Sequence, residues 1–311
     1  MKSIVRVVLA SGAAWLFCAC AQAQMFRAYV ASSGNDSNPC TVVAPCRLLP
    51  AALNAVASGG EIWMLDSANY NAGTVNIAKD VTILAIPGAV GSIVAVGGNA
   101  AVNITSGRVA FRNVVVTANA VNPGFVGINV AASGLTMVTV EDSSFSNLNN
   151  SGIAATGTMD LNLKNVVFRD ANTGINIADG PTVNLSGVHI FRADEGLTVQ
   201  GNAASSTTLV HIADSEIAGL GIIAIVAGAS NNATVKVVAE NTRIYNGGGG
   251  VFANADSPAA LTVVLNGVSI TATGTGVQQS GTGSVVKTFG NNNISENGTD
   301  VNGTLTPAAP K

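Results

Sequence analysis

The densest charge in the repeating part of this 311-residue chain falls on two stretches, Arg169-Asp170 and then Arg192, Asp194 and Glu195. Side chains of both signs at that density could hold a cation or a uronic acid, and these five are the candidate ligand-binding residues. Two polar turns facing water would look the same, and that is the plainer reading. A second constellation is His189, Glu216 and Arg243. It reads either as acid, base and substrate clamp or as a ladder of ion pairs on a solvated face. We favour the ladder, because structural pairs commonly imitate sites. Arg112, Glu141 and Lys164 alternate in charge in the same way. No Asp ladder, nucleophile elbow or HExxH motif is present, so no catalytic residue, metal site or cofactor is assigned.

Something must position these residues, and the chain's beginning says in which compartment. Lys2 and Arg6 precede an apolar run from Val7 to Ala21, and Ala21-Gln22-Ala23 is a small-x-small cleavage site. Residues 1–23 therefore read as a signal peptide, with Gln24 as the mature start and a periplasmic or extracellular destination. The run is too short for a membrane span, and "LGIIAIVAG" at 220–228 is shorter still. A lipoprotein reading through Cys20 is weaker, since Phe17 stands where a lipobox has Leu. Export removes Cys18 and Cys20 and leaves Cys40 and Cys46, which in an oxidising compartment read as a disulfide. A metal site there is the poorer alternative, because neither histidine is near in sequence. Without Lys2 and Arg6, 12 basic residues face 17 acidic ones, a net charge of −5. Nucleic acid and anionic membranes are poor partners for such a chain.

The positioning frame is a repeat. Short runs ending in an apolar residue begin at Asn113, Asp142, Asn165, Gly187, Asp214, Asn241, Gly267 and Asn291, with spacings of 29, 23, 22, 27, 27, 26 and 24 residues. An alternating strand precedes each run, such as "MDLNLK" or "PTVNLS". Glycine followed by alternating apolar residues comes after most of them, as in "GINV" at 127, "GINI" at 174 and "GLTV" at 196. Three short strands per period, with no helical pattern, predict an all-β fold, a right-handed parallel β-helix of nine or ten coils. Leucine-rich repeats share the period but not the Leu/Asn framework, and a sandwich would need hairpin spacing.

Alternation then assigns the faces. Two positions before each landmark stand Phe111, Val140, Leu163, Leu185, Ile212, Ala239, Leu265 and Phe289. Three positions after it stand Val116, Phe145, Phe168, Ile190, Ile217, Ile244, Ile270 and Ile294. Both columns are expected to stack inside, with the Asn, Asp or Gly landmark supplying a bend of positive φ. The ends need covers, since an open solenoid exposes strand edges. "CRLLPAALNAVASGG" predicts a short capping helix with Leu49, Leu53 and Val56 on one face. At the other end Gln279 and Lys287 replace apolar residues at inward positions. The expected division is a cap over 24–60, coils over 61–300 and a tail over 301–311.

The front of the mature chain, "AYVASSGNDSNPCTVVAPCRLLPAALNAVASGGEIWMLD" (28–66), resembles the opening of bacterial secreted right-handed β-helix proteins of the pectin-lyase-like superfold. The likeness is to an uncharacterised group with an "NPC…PC[RK]" disulfide loop, a capping helix and "GGEI..LD". "TFGNNNISENGT" (288–299) is similar to that group's C-terminus. "LDSANY" at 65–70 departs from the group's Pro-Gly-Gly-Phe turn. The resemblance implies fold and export and no particular activity. The superfold's known activities are lyases that use clustered carboxylates, calcium and an Arg or Lys, and hydrolases that use paired Asp or Glu.

Two functional classes follow. One is a non-catalytic scaffold or surface-recognition protein whose partner is a polysaccharide or cell-surface glycan. The other is a lyase or hydrolase of an acidic polysaccharide using the Arg169 to Glu195 cluster, the one case in which calcium is expected. Aromatic platforms for sugars look sparse. Most Phe residues are expected inward, Tyr245 is the one aromatic in a turn of the coils, and Trp63 and Tyr70 lie near the cap. Asn147, Asn149, Asn150, Asn172 and Asn246 could hydrogen-bond sugars, although Asn is also a good turn former. The oligomeric state is not legible.

Overall fold

The computed structural model describes residues 24–308 apart from 120, 122, 123 and 133. The expected signal peptide and the last residues of the expected tail lie outside them. The chain winds as a right-handed parallel β-solenoid of about nine turns with one short helix. A 12-stranded sheet runs its length on one side and a 14-stranded sheet on the other. Pairing is parallel throughout, for instance Val167–Ala178 with His189–Gly201 and His189–Gly201 with Glu216–Ala229. Met25–Val30 already pairs with Val56–Met64, so the first sheet starts inside the segment 24–60.

Both apolar columns lie inside up to the last coil. Phe145, Phe168, Ile190, Ile217, Ile244 and Ile270 are register partners in turn, and all are buried. Each such side chain contributes about 1.5–3 kcal/mol by leaving water. The landmarks are bends of positive φ, with Asn113 at 54°, Asp142 at 50°, Asn165 at 53° and Asp214 at 50°. Their side chains also tie coil to coil, Asn165 Nδ2 donating to Asp142 Oδ1 at 3.1 Å.

A second bend lies five residues after the first, where the sequence predicts polar turns. Asn147, Asp170, Arg192, Asn246, Ala272 and Glu296 all have φ between 51° and 60°. Left-handed backbone costs an L-residue roughly 1–2 kcal/mol, so Arg, Ala and Glu give no warning of it. Between Ser144 and Ser280 this bend folds each long strand of the second sheet across two faces, so three predicted strands per period emerge there as two, while the earlier coils keep three.

The signature glycines form a column of their own, required by space. A Cβ on Gly152 would lie 2.6 Å from the Gly174 carbonyl oxygen, and one on Gly174 would lie 2.7 Å from that of Gly196.

At the front, the Leu49–Ala55 helix buries Leu49, Ala52 and Leu53. Val56 is buried too but begins the following strand. Lys79 Nζ donates to the Leu53 carbonyl and, at 2.6 Å, to that of Val56, closing the helix's C-terminal end. Cys40 and Cys46 are disulfide-bonded. Asp36 Oδ1 accepts the amides of Arg47 and Leu48, both at 2.8 Å, and so ties the disulfide loop to the helix.

Several expectations are corrected. Lys287 is exposed, because its register partner is the outward Val264. Gln279 does take the inward place, beside Ala253, with Nε2 donating to the Ser284 carbonyl and hydroxyl, both at 2.9 Å. Phe289 is 39% exposed. The last coil has one more residue between Thr288, the partner of Leu265, and Asn293, the partner of Ser269, which moves Phe289 off the inner file. Only Phe111, Phe145 and Phe168 are buried among the described phenylalanines, while Phe26, Phe125, Phe191 and Phe252 face outward. Tyr70 is fully buried. Its hydroxyl donates to the Asp66 carboxylate, and burial together with that carboxylate pushes its pKa up. The "LDSANY" turn is thus closed by a core tyrosine, not a surface platform. Among the described residues no helix is long and apolar enough to cross a membrane.

Candidate functional site

Between its two bends each long strand turns two side chains outward, two and four positions after the landmark. On three successive rungs these are His189 with Phe191, Glu216 with Ala218, and Arg243 with Tyr245. The middle rung supplies the carboxylate and the smallest side chain. Glu216 Oε1 accepts from the Tyr245 hydroxyl at 2.6 Å and from Arg243 Nη2 at 2.8 Å, and Oε2 lies 3.3 Å from His189 Nδ1. The triplet forms the favoured ion-pair ladder, with Tyr245 added to it.

Reaching Glu216 draws the Tyr245 ring towards the middle rung, and Arg243 lies over that ring, 6.0 Å from its centroid. Phe191 stacks along its strand on His189, with centroids 6.0 Å apart and planes at 21°. Phe191 and Tyr245 thus stand on rungs either side of Ala218, which is itself buried. Tyr245 is a strand residue, one place before the bend at Asn246. Phe191 was missed in the sequence. The available signal was its position four after the Gly187 landmark, the same outward column as Tyr245.

The Glu216 carboxyl is held below its ordinary range, first by the Tyr245 hydroxyl and then, against the opposing effect of burial, by Arg243 and His189. A depressed carboxylate adds stability that is complete above the unfolded pKa of about 4.3 and is lost as pH falls through the lower folded value. Glu216→Gln should therefore flatten the fall in urea midpoint below about pH 4.3. An unchanged acid slope would show that the ladder does not titrate with folding.

The five predicted residues lie at the second bend next to this face, and the structure joins two of them. Arg192 clamps Asp170 through Nε at 2.7 Å and Nη2 at 2.9 Å, which lowers the Asp170 pKa. Asp194 accepts instead from Asn172 Nδ2 at 3.1 Å. Glu195 has passed to the next face and accepts from Thr198 at 2.8 Å. Arg169 is outward, next to Phe191 in register, and makes no ion pair among the described residues. The strands on either side carry one more residue at this corner, at Asn149-Asn150 and at Gly221-Ile222. These extra residues lie opposite Asn172 and Asp194, two places beyond the Asp170–Arg192 clamp. No group of three or more His, Cys, Asp or Glu side chains that could hold a metal is found among the described residues.

No protein-family model matches the chain, and comparison with curated proteins yields no match. Solved structures are similar in fold. The GH136 lacto-N-biosidase from Eubacterium ramulus superposes with a TM-score of 0.58 at 11% identity, over 90% of this chain and 67% of that one. XylC in complex with xylose superposes at 0.52 and 8% identity, over 91% and 70%. Pectate lyase Pel9A gives 0.49 at 15% identity, over 84% and 74%. The first two superpositions show a shared fold, and at identities this low they show nothing about chemistry.

Proposed function

We propose that the protein is an exported, non-catalytic β-helix scaffold that recognises a glycan on the outer face centred on Glu216. The observation that carries this reading is the pair of ring platforms, Phe191 and Tyr245, set on either side of Ala218 and fringed by fixed hydrogen-bonding groups. Ligand sites combine apolar or aromatic surfaces with a few placed polar groups, and aromatic side chains supply large contact areas. Arg169, Asp170, Arg192, Asp194 and Glu195 border the face and would add polar contacts at its edge. Two of the solved structures of this fold carry carbohydrate in their names, a lacto-N-biosidase and a xylose complex, which favours a sugar over other ligands. Against a hydrolase acid at this face stands the state of its carboxylates. A glycosidase acid needs a raised pKa, whereas Glu216 and Asp170 are lowered and already clamped by cations.

The test is a polysaccharide panel, with and without calcium, scored both for binding and for new reducing or unsaturated ends. Binding without turnover is expected. Phe191→Ala or Tyr245→Ala should weaken it about 30-fold, the effect of truncating an aromatic hot spot worth about 2 kcal/mol. Turnover that disappears in Arg192→Ala would overturn the proposal.

A further inference from the structure

A cavity of about 410 Å³ is lined by Asp80, Arg108, Leu135, Thr136, Met137 and Asp160. It lies at the edge of the 12-stranded sheet, whereas the Glu216 face belongs to the 14-stranded one. Met137 opens its strand, with Arg108 and Asp160 as register partners on the rungs either side. Met137 is 39% exposed, and Leu135, two residues earlier, is fully exposed. An aliphatic wall thus stands between a guanidinium and a carboxylate.

The two charges differ in what they lack. Asp80 accepts from the Arg108 amide at 2.8 Å and from its Nε at 3.2 Å, and Nη2 lies 3.2 Å from the same carboxylate. Arg108 is neutralised, yet its Nη1 still has N–H groups to donate. The Asp160 side chain is exposed and has no hydrogen bond or ion pair among the described residues. The uncompensated charge of the cavity is therefore negative. Thr136 adds a polar group to the floor, being 3% exposed with an Oγ1 that has no hydrogen-bond partner.

We infer that this cavity receives a lysine side chain of a partner polypeptide. The ammonium pairs with Asp160, and the four methylenes lie along Met137 and Leu135, as long cationic side chains commonly do on apolar surface. The main-chain carbonyl of the same lysine accepts from Arg108 Nη1, and a neighbouring peptide N–H is the donor that Thr136 lacks. A free alkylamine would leave Arg108 and Thr136 without partners. An acidic or wholly apolar segment would leave Asp160 without one.

Spectra of the full chain with methyl-labelled methionine, titrated with acetylated and amidated Gly-Gly-Lys-Gly-Gly, test this. The Met137 methyl signal, identified by its loss in Met137→Leu, should shift and saturate. Replacing the lysine by norleucine should weaken binding about five-fold, the upper end for an exposed ion pair. n-Butylamine, which keeps only the stem and the ammonium, should also bind about five-fold more weakly, the effect of one lost hydrogen bond. Raised salt should weaken the lysine peptide, because it screens the pair with Asp160. Asp160→Asn should reproduce the norleucine loss with an unchanged urea midpoint, since its side chain is exposed and unpaired. Equal binding of the norleucine peptide, or no loss in Asp160→Asn, would overturn the cation site. Equal binding of n-butylamine would overturn the assignment to a polypeptide, and a Met137 methyl that no probe moves would overturn both.

Discussion

Phe168→Ala should cost about 3–5 kcal/mol of unfolding free energy, the range for removing a large aromatic from a packed core. Phe168 lies in the middle of the inner file, fully buried, with its ring stacked on Phe145 at 4.9 Å and 18°. That stacking adds about 0.5–1.5 kcal/mol beyond the buried area. The ring edge also occupies the space left by Gly152, where a Cβ would come within 2.3 Å of it. The surrounding rungs are held at ladder spacing by main-chain hydrogen bonds, so the cavity has little means of collapsing. Urea unfolding followed by two probes is the measurement. A loss below about 1 kcal/mol would contradict continuous interior files. Because a solenoid is coupled only between neighbours, the same substitution should also split a single transition into two, as the halves lose contact.

Gly174→Val is the second large effect, with an expected loss of at least about 3 kcal/mol. Overpacking a core costs about 1–3 kcal/mol when side chains can give way, and here the obstacle is main chain. A Cβ at 174 would lie 2.7 Å from the Gly196 carbonyl oxygen and 2.9 Å from Ile190 Cγ2. Moving that carbonyl breaks the ladder to the next rung and leaves a buried polar group unpaired, a further cost of about 1–3 kcal/mol. Gly73 provides the control, since a Cβ there meets nothing within 4 Å. Gly73→Ala should change stability by less than about 0.5 kcal/mol. Equal midpoints for the two variants, measured by thermal unfolding, would show that the glycine column is not a packing constraint.

The solenoid was legible because its signal is written many times. Phe168, Ile190 and Ile217 occupy one column in the alignment of periods and one file in space, and each repetition corrects the noise of the others. Glycine at 152, 174 and 196 was visible as a signature, but its reason was not, since the obstructing carbonyl belongs to a residue one coil away. The second bend was read as polar turns at Asp170 and Arg192, but Arg192 and Ala272 give no sign in their types of left-handed backbone. Their register is imposed by the rungs on either side. The ladder from His189 through Glu216 to Arg243 was readable from spacing alone. Tyr245's part in it was not, because a hydroxyl that crosses a rung to reach a carboxylate leaves no period in the sequence. The five-residue cluster looked like one unit, but the bend divides it. Asp170 and Arg192 stack at the corner, whereas Glu195 has rounded it.

The two extremities of the cylinder are fastened very differently. One is sealed by a helix with one buried face, the Lys79 ammonium on the carbonyls of Leu53 and Val56, and a covalent loop. The other closes with Gln279 and two brief strands, Thr299–Asn302 and Leu305–Pro307, the former wholly exposed. Nearest-neighbour cohesion then gives the molecule a direction of decay. Fraying begins at the carboxyl end and each lost rung uncovers the next, while the amino end holds until its inner neighbour has gone.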